Sequence, residues 1–260
     1  MSDYPRMLKY SLEALPLAAS ARETTFTLSQ AVTSCFYLGD YYRATSFQKQ
    51  LAARDSASIP AWVGLASYQM MNGFYDSAAT ALQHAQTRDS ANPLIRFNVA
   101  LNRLCSGDAK SARSILETAI ANTKDNAAYA ENRIVLSTIL LSTKDSADRK
   151  AATGYCQQAI NTLQSQVSEQ SINSMSMAWI GVGYVCLGDM TNAQDFLNLA
   201  DLLETRPFYQ GMIWLWLGKA ADLRKERELA RQYYGQVLGI ASAAYHQQEA
   251  RLLLDHPFRW

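Results

Sequence analysis

Among side chains suited to metal binding, or to acid–base and nucleophilic chemistry near neutral pH, the 260-residue sequence offers three histidines and four cysteines. Their spacing argues against both uses. Cys35, Cys105, Cys156 and Cys186 never pair as CxxC and fall within stretches of helical periodicity, so they are expected as buried small apolar groups suited to a reducing compartment. His84 falls near the outer end of a helix, and His246 and His256 lie in the closing segment. No nucleophile or carboxylate accompanies them at a spacing that would orient an imidazole, and surface positions are expected. Gly181-Val182-Gly183 is half of a dinucleotide fingerprint, but no strand precedes it; close helix packing is the expectation. The sequence lacks a phosphate loop, an HExxH pair and a paired-carboxylate site, so it is read as non-enzymatic, without cofactor or metal.

What remains is a surface for contact. Hydrophobic residues make up 48% of the chain and charged residues 18%, with 24 basic against 23 acidic and a net charge of +1. That balance gives no electrostatic footprint for nucleic acid or an anionic membrane, and neither partner is expected. The opening residues, 1–15, lack a basic region followed by an apolar one, and no run reaches the roughly 18 apolar residues of a membrane span. A cytoplasmic protein is expected, although the mature part of an exported protein would read the same way.

The elements that must position such a surface are periodic. Gly39, Gly73 and Gly107 lie 34 residues apart, and each is followed five residues on by an alanine: Ala44, Ala78 and Ala112. A period of that length marks helical hairpins that bury their apolar faces only by stacking on neighbours. Units are expected at about 25–58, 59–92, 93–129, 130–173, 174–210 and 211–244. Gly39-Asp40, Gly107-Asp108 and Gly188-Asp189 each offer a glycine to end one helix in the left-handed conformation and an aspartate to cap the next. Asp55-Ser56 and Asp89-Ser90 close the first two units as capping residues for the helices that follow. Between Gly107 and Gly188 the spacing is two periods plus 13 residues, which places insertions around Lys124-Asp125, around Lys144-Asp145-Ser146 and over Val167–Asn173.

These features resemble the tetratricopeptide repeat family. At its eighth position stand Val32, Ala66, Ala100, Ser137, Gly181 and Gly218; at its twentieth, Ala44, Ala78, Ala112, Ala152, Ala193 and Ala230; at its twenty-seventh, Leu51, Ala85, Ala119, Ala159, Ala200 and Val237. The resemblance implies an all-α, right-handed α-solenoid running through residues 1–260, with a capping helix or half repeat over 1–24, six repeats over 25–244 and a closing helix over 243–260. Asp3-Tyr4-Pro5-Arg6 echoes Asp40-Tyr41-Tyr42-Arg43, as though the chain opened on the second helix of a preceding repeat, and Pro16 should break or kink that opening helix.

The family's groove-facing positions then select Phe26, Gln30, Val63, Met70, Phe97, Asn98, Leu101, Met175, Trp179, Val182, Met212, Trp216 and Lys219. Most are apolar. A clamp for an acidic peptide terminus would need several convergent Lys, Arg and Asn side chains, and only Asn98 and Lys219 remain. Trp179 and Trp216 are expected as an aromatic pair on the inner wall. Because Trp214 and Trp216 are two residues apart, one helix cannot bury both on one side, so Trp214 is assigned to the hairpin core. With Met70, Met71, Met175, Met177 and Met212 nearby, the groove reads as a scaffold for an apolar or amphipathic segment of a protein partner. A regulatory or sensory part of a larger enzyme or transcription factor, or an envelope or secretion assembly factor, would show the same sequence. Oligomeric state is left open.

Overall fold

The computed structural model describes residues 3–122, 129–143, 145–169 and 173–260, with the side chains of 168 and 169 excepted. The described chain is 82% helical and contains no strand. Its helices are α1 Tyr4–Ala14, α2 Ala21–Leu38, α3 Tyr41–Arg54, α4 Ile59–Met71, α5 Tyr75–Gln86, α6 Pro93–Cys105, α7 Ala109–Ala121, α8 Ala130–Leu141, α9 Ser146–Glu169, α10 Ser174–Leu187, α11 Met190–Leu203, α12 Pro207–Leu223, α13 Arg227–Gly239 and α14 Ala244–Asp255. Helices α2 to α13 pair in order as hairpins, each stacked on the next, with α1 and α14 at the ends. The expected insertion at Lys124-Asp125 lies outside the described residues, as do Lys144 and residues 170–172 of the third insertion.

Close helix crossing explains why small residues recur. Ala44, Ala78, Ala112, Ala152, Ala193 and Ala230 are all fully buried. The facing position adjusts its volume to the partner helix: a methyl group on Gly181 would meet Leu197 at 2.6 Å, and one on Gly218 would meet the Tyr234 ring at 2.3 Å. Glycine stands there because a larger side chain projects from the second helix and leaves no room for a methyl group. Gly181 is thus a packing residue, not part of a nucleotide loop.

The hairpin turns are built from two adjacent residues with separate duties. Gly39 and Gly188 end α2 and α10 with φ of 74° and 78°, while Asp40 and Asp189 accept the backbone N–H of Arg43 and Asn192, both at 3.1 Å. Asp3 accepts from the Arg6 N–H at 3.0 Å in the same manner, so α1 starts like the second helix of a hairpin. Helix α1 ends at Ala14 and passes into a 3-10 turn, Leu15–Leu17, at Pro16. The expected caps between units are displaced by about one turn. Ser58 and Asn92 cap α4 and α6, whereas Asp55 and Asp89 turn the preceding loops by accepting from the Ala57 and Ala91 N–H groups. A short side chain holds its own loop two residues on before the next helix can begin.

The array curls until its ends meet. The Tyr41 hydroxyl donates to the Ala241 carbonyl at 2.7 Å, and a methyl group on Gly39 would lie 2.4 Å from the Ala241 side chain. Phe36 of α2 lies 6.4 Å from Phe208 and 6.0 Å from Tyr209, both of α12, so the first and last hairpins share an aromatic seam. The inner face of the solenoid is thereby enclosed.

Candidate functional site

The enclosed inner face forms a chamber of about 960 Å³, walled by α4, α6, α8, α10 and α12 and by the final residues 245–260. Met70, Phe97, Asn98, Leu101, Met175, Trp179, Met212, Trp216 and Lys219 line it. Four expected groove residues do not. Val63 and Val182 are buried in the core, the latter with no exposed surface. Helix α10 is flanked by α9, α11, α8 and α12, so a helix apolar on every side loses its flanks to neighbours. Met177 is core for the same reason. Phe26 is exposed and Gln30 stands outside the chamber, because α2 meets the chamber at Phe36, ten residues or about 15 Å of helix beyond Phe26.

Several lining residues were not singled out by the repeat frame. Phe208 and Tyr209 enter because α12 starts at Pro207, four residues before the unit boundary drawn at 211. The available signal was Pro207 itself, since proline favours the first helical turn. Glu131 of α8, by contrast, stands at a groove-facing position of the frame's fourth unit and lines the chamber. Its carboxyl is half-buried, burial raises its pKa, and it pairs with no cation among the described residues.

Trp179 and Trp216 do not form the expected pair. Trp216 instead meets Phe258 and Trp260, with ring centroids 6.5 and 6.4 Å away. The Lys219 ammonium sits over the Trp216 ring at 4.1 Å and over Phe258 at 5.1 Å, and it also pairs with Glu249 at 2.6 Å. The chain's own last residues therefore cover the wall of α12. They are fastened by Asp222, which accepts from the Phe258 N–H at 2.8 Å, from the Tyr234 hydroxyl at 2.9 Å and from Arg227 at 3.1 Å. Arg227 in turn donates to the Leu253 and Leu254 carbonyls at 2.8 and 2.6 Å, closing the end of α14. Helix α14 stops at Asp255, ahead of Pro257, and the two aromatic rings beyond it fold back inside. Trp179 is left half-buried, with its indole N–H unpartnered. Trp214 packs against the hairpin core, on the side assigned to it.

Charge at the site is otherwise spent internally. Glu204 accepts from the Ser174 hydroxyl at 2.7 Å and from Arg206 at 2.6 Å, and Arg206 lies 4.2 Å from the Tyr209 ring centre. Burial pulls the Glu204 carboxyl upward, but hydrogen bonds from Arg206 and Ser174 outweigh it and hold it below the usual carboxylate range. Burial raises the Tyr209 phenol against the pull of Arg206, and Glu131 and Glu204 add to the rise.

His246 is the one expected surface histidine that proves buried. Its Nδ1 lies 3.0 Å from the Ser242 hydroxyl, beneath Gly211, where a methyl group would collide with that oxygen. Burial, with the Lys219 charge second, pushes its pKa down to about 3. An imidazole that resists protonation so strongly is a poor base at neutral pH, so this Ser–His contact is structural. His84 stacks on Trp62 at 4.4 Å. The four cysteines are free thiols; among the described residues no three His, Cys, Asp or Glu side chains converge on a metal-sized site, and no helix is long and apolar enough to cross a membrane.

No family model and no curated protein sequence matches the chain. Its structure is nevertheless similar to solved ones. The Cut9-Hcn1 tetramer of the APC/C matches over 99% of this chain and 46% of its own, at a TM-score of 0.61 and 18% identity. Human IFIT1, solved as a dimer with a capped RNA, matches over 96% and 58%, at 0.62 and 13%. TTC0263, a TPR protein of Thermus thermophilus, matches over 76% and 97%, at 0.51 and 22%. The chain spans about half the length of the first two. At such identities the likeness is one of architecture, and it agrees with the glycine–alanine period and the buried alanines. The chain has the tetratricopeptide fold, an α-solenoid of stacked helical hairpins.

Proposed function

We propose that the protein is a non-catalytic scaffold whose chamber receives an apolar or amphipathic segment of another polypeptide. The observation that carries this reading is the wall left open beside the covered Trp216. Met70, Phe97, Leu101, Met175 and Met212 line the chamber together with Trp179, whose indole N–H has no partner among the described residues. Flexible methionines adapt to varied side chains, and the Trp179 ring offers a large apolar face to pack against. The chamber volume, about 960 Å³, suits a few residues of a bound segment.

A nucleic-acid ligand of the kind bound by IFIT1 is disfavoured by Glu131, which pairs with no cation among the described residues, because phosphates demand convergent cations and Lys219 is already paired with Glu249. Selection of displayed random heptapeptides on the immobilised full chain tests the reading. Selected peptides should bind at least tenfold more weakly to Trp179→Ala, a loss of about 1.4 kcal/mol. They should bind normally to Leu202→Ala, which alters an 82% exposed residue of α11. Failure to select any peptide, or equal weakening by both variants, refutes it.

A further inference from the structure

Glu131 gains from its place in the first turn of α8, but no basic side chain among the described residues neutralises it in a largely apolar chamber. Of the cations near it, Lys219 in the chamber wall is held by Glu249 and stacked on Trp216, and Arg206, outside the lining, is locked to Glu204. Arg259 reaches the chamber from the closing segment, yet it is exposed and pairs with no carboxylate among the described residues. Glu131 is thus the one half-buried charge in the chamber without a counter-ion among the described residues. Around it the walls carry the other groups a cation uses. Tyr209 is close enough that the Glu131 charge raises its phenol pKa, and Trp179 adds a second aromatic ring to the lining.

We infer that the chamber recognises a basic side chain, lysine or arginine, on the bound segment, with its charged end at the Glu131 carboxylate and its alkyl stem along the aromatic and methionine wall. The inference rests on the segment-binding reading above. Carboxylate and aromatic faces both favour a cation brought out of water, and a long aliphatic stem can occupy apolar surface while its charged end finds the one oxygen pair that lacks a partner. A purely apolar segment would leave Glu131 buried and unpaired, which is the more costly complex.

The test repeats the heptapeptide selection on wild type and on Glu131→Gln, a change that keeps shape and removes only charge. Lysine and arginine together should be enriched at least fivefold over the input at one peptide position on wild type, and return to within twofold of input on the variant. A synthetic selected peptide with that basic residue changed to glutamine should bind wild type at least tenfold more weakly, but Glu131→Gln less than twofold more weakly. This peptide-side change reads the contact even if the protein variant folds poorly. Selection of apolar peptides without a basic position overturns the inference and leaves the segment-binding reading intact. Enrichment that persists on Glu131→Gln also overturns it. If no peptide is selected, both fail together.

Discussion

His246 shows how burial converts a reactive residue into a structural one. In the folded chain its pKa is pushed down to about 3, while in the unfolded chain it takes the ordinary value of about 6.5. The folded pKa is the lower, so its contribution is fully present above pH 6.5 and is lost as the pH falls, because only the unfolded chain gains the proton. Stability should drop by about 1.4 kcal/mol at pH 5.5 relative to pH 7.5, and His246→Gln should flatten that slope. Glu204 is held below the usual carboxylate range and stays ionised across this window, so it does not obscure the effect. Urea melts at the two pH values are the check; a wild-type midpoint unchanged between them would mean the imidazole is not buried neutral. Nothing in the sequence separated His246 from the exposed His256, since both follow an apolar helix pattern and only the seam with Gly211 and Ser242 decides which is covered.

Among the elements, the closing hairpin depends most on a single side chain. Asp222 joins α12 to α13 through Arg227 and Tyr234, and to the closing segment through the Phe258 N–H. Its carboxylate is almost wholly buried, 1% exposed, so removing it leaves the Arg227 guanidinium without its counter-ion in a half-buried site. Asp222→Ala should therefore cost about 3–5 kcal/mol, against about 1 kcal/mol for Tyr234→Phe, which removes one hydrogen bond. Thermal melts of the pair distinguish a hub from an incidental contact; equal losses would contradict the hub.

The same region shows where repeat logic stops informing. Alanine and glycine at helix crossings are dictated by local volume and recur with the period, so the helical array was legible. The start of α12 was not, because a fixed period outweighed the proline at 207. The return of Phe258 and Trp260 was not legible either: it depends on Asp222 being free to accept a backbone N–H, a tertiary fact that no spacing encodes. Val63 and Val182 were misplaced because a helix wheel gives a face but not what stacks against its edges.

At the scale of the whole molecule, closure makes the groove a chamber. The seam of Phe36, Tyr41, Phe208 and Tyr209 with residues 240–246 ties the first hairpin to the last. The double variant Tyr41→Phe with Phe208→Ala should keep its helical spectrum while its radius of gyration rises above the parent, whose compact value is roughly 18 Å for this length. Small-angle scattering reads this directly; an unchanged radius would show that the ends are held by something other than the seam.

The most direct test of the account is where a bound segment touches. The chain contains five tryptophans, Trp62, Trp179, Trp214, Trp216 and Trp260, and their indole N–H resonances can be assigned one by one by substitution to phenylalanine. Titration with a selected peptide should shift the Trp179 resonance strongly, because its ring lines the chamber, and leave Trp62 and Trp214, which do not, in place. Movement confined to Trp62, which stacks on His84 away from the chamber, with Trp179 unmoved, would place binding elsewhere and contradict the account.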